Sequence, residues 1–124
     1  MRVGIALGSN LGDRLAHLQG ALDALVANVG FAVARKLADV TDADWEACFQ
    51  LTLMSHIRAT RAALPHLRKS KQGRVICIAG TASRHPGETA LPSALGNSAI
   101  SAFVKQFSTQ VASQGITANV VHPP

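Results

Sequence analysis

Short apolar runs alternate with helical patterns along this 124-residue chain, and that alternation constrains the fold more than any other feature. The clearest run lies at residues 74–79, where Val75, Ile76, Cys77 and Ile78 follow one another without a charged residue. Such a run is typical of a central strand of a parallel sheet. The same reasoning predicts three more strands and three helices. They are strands 3–7, 31–34 and 116–121, and helices 13–30, 43–67 and 94–114. We therefore expect one α/β domain, 1–124, with a mostly parallel sheet of about four strands.

The predicted helix boundaries rest on capping and breaking residues. Thr41 and Asp44 form an acidic variant of the capping box at the start of the second helix. Pro65 is expected to lie near its end, because proline interrupts helical hydrogen bonding. Gly30 and Gly115 are expected to end the first and third helices.

Composition narrows the classes of partner. The formal charge is +5, but the basic residues follow the predicted end of one helix without interleaved aromatic residues, so we expect no nucleic-acid partner. The five histidines and two cysteines show no metal-ligand spacing, and no metal site is expected. No apolar run approaches the ~18 residues of a membrane span. Free buried thiols at Cys48 and Cys77 fit a reducing compartment, so a cytoplasmic location is expected.

A glycine-containing turn follows the first predicted strand. Gly8, Ser9, Asn10 and Gly12 lie between that strand and the first predicted helix, as in turns that cradle phosphate groups. These four residues are the candidate cofactor-binding residues. A tight structural turn without a ligand is the alternative, because Arg14 occupies the place where a third glycine would permit close approach.

Residues 1–36 resemble the N-terminus of hydroxymethyl-dihydropterin pyrophosphokinase. The resemblance rests on the run from Ala6 to Arg14, Ala-Leu-Gly-Ser-Asn-Leu-Gly-Asp-Arg, and on Leu18, Ala21 and Leu22. That family transfers pyrophosphate from ATP to a pterin, so the resemblance implies a β-α-β segment that binds a pterin or nucleotide. The paired aspartates that hold magnesium in that family have no counterpart after a strand here.

Residues 37–124 resemble the short-chain dehydrogenase/reductase family. Four runs carry the resemblance, at residues 39–45, 61–67, 73–78 and 115–123. It implies a Rossmann-like three-layer sandwich, truncated relative to the family, and an NAD(P)-dependent oxidoreductase. NAD or NADP is the cofactor implied, with no cofactor at all as the alternative. The change of resemblance predicts a boundary near residues 35–37, and three origins stay open: a natural truncated gene, a fusion and a made chimera.

The catalytic residues of that family are replaced in this sequence. The resemblance places the proton-donating tyrosine at Ser93, the lysine four residues later at Asn97, the serine at Gly80 and the asparagine at Thr52. The chain contains no tyrosine that could substitute. A serine hydroxyl ionises far less readily than a tyrosine, and Asn97 has no charge that could assist it. The expected protein is thus a degenerate or inactive pseudoenzyme without catalytic residues.

Both helices through which the resembled family pairs its subunits are intact. We expect a homodimer through helices 43–67 and 94–114, whose second member carries the small residues Ala94, Ser98, Ser101 and Ala102. Three functions stay open: an oxidoreductase by family that has lost activity, a non-catalytic dimerising module, and a pterin- or nucleotide-binding fragment.

Overall fold

The computed structural model describes residues 3–6, by their backbone, and residues 23–124. The strands form one parallel sheet in the order β1-β2-β3-β4, with Leu25 opposite Val75 and Val75 opposite Ala118. Strands are β1 (Val3–Ala6), β2 (Ala24–Ala27), β3 (Arg74–Ile78) and β4 (Thr117–Val121). Helices are α1 (Asp42–Phe49), α2 (Ser55–Lys69) and α3 (Leu91–Val111). The predicted α/β class with about four parallel strands is confirmed.

One face of the sheet and two helices form the core. Successive strand residues point to opposite faces, so Leu25 and Ala27 of β2 share a face with Val75 and Cys77 of β3. This face packs against side chains of α2 and α3 in a single buried cluster. The helical members of that cluster include Ala59, Ala63, Leu67, Ile100, Val104 and Phe107. Full burial of a side chain of the size of Leu25 or Ile100 contributes about 1.5–3 kcal/mol.

The predicted helix 13–30 is wrong over its last part. Residues Ala24–Ala27 form a strand between β1 and β3, and Gly30 follows that strand instead of ending a helix. A four-residue apolar run cannot be assigned to a strand or a buried helix by periodicity alone, and here pairing on both sides decides for the strand. The predicted strand 31–34 is also wrong, because these residues have no regular structure. The sheet gains its second strand from 24–27 instead.

The second predicted helix forms as α1 and α2 joined by one π-helical segment, Gln50–Met54. The capping box is confirmed: the Thr41 hydroxyl accepts the Asp44 amide hydrogen bond at 3.1 Å, and the Asp44 carboxylate accepts that of Thr41 at 3.0 Å. Pro65 lies near the end of the helix as predicted, and α2 ends at Lys69, two residues beyond the predicted end at Leu67. Proline removes one helical hydrogen bond, and the burial of Leu67 beyond it offsets that loss.

The third helix begins at Leu91, three residues before the predicted start at Ala94, and its last turn ends at Gly115 as predicted. Ala90 precedes α3 with a left-handed backbone (φ 64°), and Pro92 lies in the first turn. After α3, a short 3-10 turn at Ala112–Gln114 ends at Gly115, whose φ of 70° is readily adopted by glycine. None of the helices in the described part of the chain is long and apolar enough to cross a membrane.

Candidate functional site

A cleft of about 370 Å³ lies at the carboxyl ends of β2 and β3. Ligands of open α/β sheets bind at this edge, where adjacent parallel strands end together. Its walls come from the segment after β2, the end of β3, the first turns of α3, and Pro123. The polar groups at the cleft are those of Asn28, Gly80, Ser93 and Asn97. Among the described residues no lysine or arginine lines it.

Asn97 lies at the centre of the cleft wall, and its amide is fully engaged by the protein. Its side-chain oxygen accepts the backbone N–H of Gly80 at 2.6 Å. Its side-chain nitrogen donates to the carbonyl oxygen of Ser93 at 2.8 Å, with the Ser93 hydroxyl at 3.3 Å. The residue is only 7% exposed. Asn97 therefore ties the end of β3 to the first turns of α3, and its polar atoms are occupied without any ligand.

Gly80 fits closely against that amide. A Cβ atom added at Gly80 would lie 3.3 Å from Nδ2 and 3.4 Å from Cγ of Asn97. These distances are shorter than most contacts of a real Cβ atom, so a side chain here requires Asn97 to move. The two residues are thus matched to each other: the absence of a side chain at 80 makes room for the amide at 97.

Thr52 supports the cleft from behind instead of lining it. Its side chain is fully buried in the π segment, where its hydroxyl accepts the Phe31 N–H at 3.2 Å and lies 3.3 Å from the Phe31 carbonyl oxygen. The Cys48 thiol donates to the same carbonyl at 3.0 Å. Burial raises the pKa of the Cys48 thiol, so it stays protonated and able to donate. Both side chains hold Phe31, which lines the cleft.

His56 is a second buried support, four residues after Thr52. Its Nδ1 lies 2.6 Å from the Thr52 carbonyl oxygen, and its Nε2 lies 3.1 Å from the Ala27 carbonyl oxygen at the end of β2. Burial lowers the pKa of this imidazole, and hydrogen bonds to the backbone carbonyls partly oppose that effect. The ring connects the π segment to the strand from which the cleft begins.

The structure brings together three of the residues to which the sequence assigned catalytic positions. Gly80, Ser93 and Asn97 meet at the cleft, whereas Thr52 lies behind its wall. The candidate cofactor-binding residues Gly8, Ser9, Asn10 and Gly12 lie outside the described residues, as does half of the pyrophosphokinase-like segment. Within 23–124, no group of three or more histidine, cysteine or acidic side chains is placed to hold a metal ion.

Sequence reasoning missed Asn28, Gly30 and His56. Asn28 and Gly30 follow directly on β2 and line the cleft. The signal was present in the run Asp-Ala-Leu-Val-Ala-Asn-Val-Gly at 23–30: a short apolar stretch followed by Asn-x-Gly is typical of a buried strand that enters a turn. The leucines before this run are spaced as in a helix, and Leu25 continues that spacing, so the strand was assigned to the preceding helix.

A parallel sheet with a ligand-sized cleft at the carboxyl ends of its strands defines the class of Rossmann-like α/β domains. The sequence profile of the short chain dehydrogenase family matches residues 9–124. This chain belongs to the short-chain dehydrogenase family. An oxidoreductase of that family from Burkholderia thailandensis has the same fold, with a TM-score of 0.82 and 24% identity over 92% of this chain and 44% of its own.

Curated relatives agree with this assignment. The chain is 32% identical over 104 residues to the uncharacterized oxidoreductase YvrD of Bacillus subtilis, which covers 84% of this chain and 40% of that protein. It is 30% identical over 104 residues to 3-oxoacyl-[acyl-carrier-protein] reductase FabG of Escherichia coli, covering 84% and 43% of the two chains. The chain thus spans about two-fifths of the length of these relatives.

The family match begins at residue 9 and so includes most of the segment that resembles the pyrophosphokinase. These comparisons give that second resemblance no support, and the boundary near residues 35–37 stays a prediction.

Proposed function

We propose that this chain is a non-catalytic member of the short-chain dehydrogenase family, in which the former reaction site has become part of the folded framework. One observation carries the proposal: the Asn97 amide is bonded to Gly80 at 2.6 Å and to Ser93 at 2.8 Å within the cleft. The two N–H donors of this amide are used by the Ser93 carbonyl and hydroxyl, and its oxygen already accepts the Gly80 N–H, so no free donor is left for a substrate or a nicotinamide ribose.

The chemistry of the remaining groups supports the same conclusion. Proton transfer to a carbonyl needs a group whose pKa lies near the working pH, or a neighbouring charge that brings it there. Ser93 is the only hydroxyl among the described lining residues, and no cation lies beside it. The described residues therefore do not fit the family's use of NAD or NADP for hydride transfer.

The test is a titration with NADH and with NADPH, following nicotinamide fluorescence, combined with a turnover assay on simple ketones and aldehydes. The E. coli 3-oxoacyl reductase serves as the positive control. We expect no consumption of either nucleotide above the rate without protein. Turnover that is abolished by Ser93→Ala but retained in Ser108→Ala would refute the proposal. Ser108 is the control because it lies on the same helix and its hydroxyl donates to the Lys105 carbonyl.

Binding without turnover would refine the proposal instead of overturning it. A saturable fluorescence change with no chemistry defines a nucleotide-binding pseudoenzyme. If the fluorescence does not change, the protein keeps the family's fold without nucleotide binding. In both cases the Asn97 amide would remain a structural group.

A second candidate function is homodimerisation, and exposed apolar side chains on the helices favour it. Leu51 of the π segment is 37% exposed and Leu95 of α3 is 49% exposed. Nearby, Ile57 and Leu64 of α2 form a shallow groove with the stacked rings of Phe103 and Phe107. Apolar helix faces of this kind are commonly covered by a second subunit.

The solution mass at micromolar concentration, measured by sedimentation equilibrium, tests this second function. We expect twice the chain mass, and a shift to the monomer in a Leu95→Glu variant. Leu37→Glu is the matched control, because Leu37 is 67% exposed but lies before α1, in a 3-10 turn. A monomer mass for the unmodified chain would exclude the dimer without affecting the proposal on catalysis.

A further inference from the structure

A second pocket, of about 480 Å³, lies beside the cleft and has a different character. Thr81, Arg84, His85, His122 and Pro124 line it, and no aspartate or glutamate side chain is among its described lining residues. The segments 80–81 and 123–124 each contribute to both cavities, so the two are neighbours at the carboxyl edge of the sheet. The second pocket has one charged side chain in its lining, the guanidinium of Arg84, whereas the described lining of the cleft has none.

Arg84 has no anionic partner among the residues that the structure describes. The one ion pair within residues 23–124 joins Arg35 to Asp44, at 2.9 Å and remote from Arg84 in sequence. A guanidinium presents several N–H donors in a planar fork that matches the oxygens of a carboxylate or phosphoryl group. His85 lies next to it in sequence and lines the same pocket. The pocket therefore offers unpaired donors for an anion.

The backbone that carries these side chains is fixed before any ligand arrives. The Thr81 carbonyl accepts the N–H groups of both Arg84, at 2.9 Å, and His85, at 3.0 Å. One turn thus presents the two residues together. A fixed backbone lowers the conformational entropy that this segment loses on binding, although the side chains still have to be ordered.

Ser83 anchors that turn to the rest of the fold. Its hydroxyl lies 2.9 Å from Nδ1 of His122, which follows β4, and its carbonyl accepts the Ser98 hydroxyl of α3 at 3.3 Å. Nε2 of His122 lies 3.2 Å from the Ser101 hydroxyl. Both nitrogens of His122 are therefore occupied, so the donors left for a ligand are those of Arg84, His85 and Thr81.

We infer that this pocket, named here the Arg84 pocket, binds the oxyanion of a small molecule, a phosphoryl or carboxylate group. The inference does not depend on whether the neighbouring cleft catalyses a reaction. Two sources of the same chemistry, a phosphorylated compound and an organic acid, are separated by the choice of probe.

The test follows backbone amide chemical shifts of the ¹⁵N-labelled chain during titration with inorganic phosphate and, separately, with benzoate. We expect saturable shifts at residues 81–85 and 122 with at least one probe below about 20 mM, since millimolar affinity corresponds to only about 4 kcal/mol. Saturation by phosphate alone identifies a phosphoryl ligand, and saturation by benzoate alone identifies a carboxylate.

Arg84→Gln is expected to weaken binding about ten-fold, the loss of one charge-assisted contact. Arg58→Gln makes the same change in net charge on α2, where the Arg58 guanidinium donates to Gln50, and is expected to leave affinity unchanged. Arg84→Lys keeps the charge but not the fork, so an intermediate affinity is expected. Equal weakening by Arg84→Gln and Arg58→Gln, or no saturation with either probe, overturns the inference.

Discussion

Replacement of Asn97 by alanine tests whether the residues at the family's catalytic positions stabilise the fold of this chain. In the structure the Asn97 amide is almost fully buried and satisfies the N–H of Gly80 at 2.6 Å. Alanine leaves that N–H, at the end of β3, without its partner. If the site still served only catalysis, removal of this side chain would leave stability unchanged or raise it.

The expected cost can be worked out from the contacts. An unsatisfied buried donor costs about 1–3 kcal/mol, and the bond to the Ser93 carbonyl adds little because it is local to the helix. Alanine is a better helix former than asparagine by about 0.5 kcal/mol, which offsets part of the loss. We therefore expect Asn97→Ala to lower the free energy of unfolding by about 1–2 kcal/mol.

Urea denaturation followed by tryptophan fluorescence measures this difference. Trp45 is the only tryptophan of the chain, and its ring contacts Phe49 edge-on in α1, so its emission reports on the helical layer. The matched control is Asn119→Ala, at an exposed position of β4, which is expected to change stability by no more than about 0.5 kcal/mol. Equal stabilities of the two variants, with equal m-values, would refute the reasoning.

A double-mutant cycle with Gly80→Ala sharpens the test. The three atoms nearest to an added Cβ at Gly80 all belong to the Asn97 side chain, so Gly80→Ala alone is expected to cost about 1 kcal/mol or more. In the Asn97→Ala background that contact is absent, and the same change is expected to cost less. A coupling energy near zero would show that the two residues do not act as a pair.

Three other perturbations have defined outcomes. Thr41→Ala removes the capping box and should lower the free energy of unfolding by about 1 kcal/mol, measured by urea denaturation at pH 7. The Thr41 backbone N–H and hydroxyl both bond to Asp44 and lower the pKa of its carboxyl group. The stability of the unmodified chain should therefore fall as the pH drops below 4, and it should fall less in the variant. Burial raises the pKa of the Cys77 thiol to about 12, and burial also raises the pKa of the Cys48 thiol. Ellman's reagent at pH 8 should therefore label neither thiol until urea is added. Burial lowers the pKa of His56 below its ordinary 6.5, so the unfolded chain binds the proton more readily than the folded chain. The contribution of neutral His56 to stability is therefore fully present above pH 6.5, and the free energy of unfolding should decline below that pH. This decline should disappear in His56→Gln.

The sequence predicted the elements whose signals are local and strong. The continuous apolar run of β3 and the capping box before α1 left few alternatives, and both were placed correctly. The strand at Ala24–Ala27 was not predicted, because its four residues carry no periodicity of their own and are defined by pairing with strands on both sides. Neither of two segments that lie 50 residues apart in sequence predicts on its own that the two will pair.

The candidate site was predictable in position but not in its interactions. Resemblance placed Gly80, Ser93 and Asn97 at the catalytic positions, and the structure brings them together. That Asn97 is bonded to Gly80 depends on the distance between the end of β3 and α3, which no local pattern contains. The role of Thr52 as a support for Phe31 likewise depends on the π segment, which sequence periodicity does not reveal.

The π segment at Gln50–Met54 marks the place in this helix where chain length can change. Such a segment contains one residue more than the α-helical turn it replaces. Deletion of one residue there would restore regular helical bonding and leave the faces of the flanking helices nearly unchanged, whereas deletion within α2 would rotate every following side chain by about 100°. A deletion between His56 and Ala63 would therefore turn Ala63 and Leu67 out of the core together, although no core residue had been substituted. Natural variants of this chain should therefore show changes in the number of residues at Gln50–Met54 far more readily than within α2.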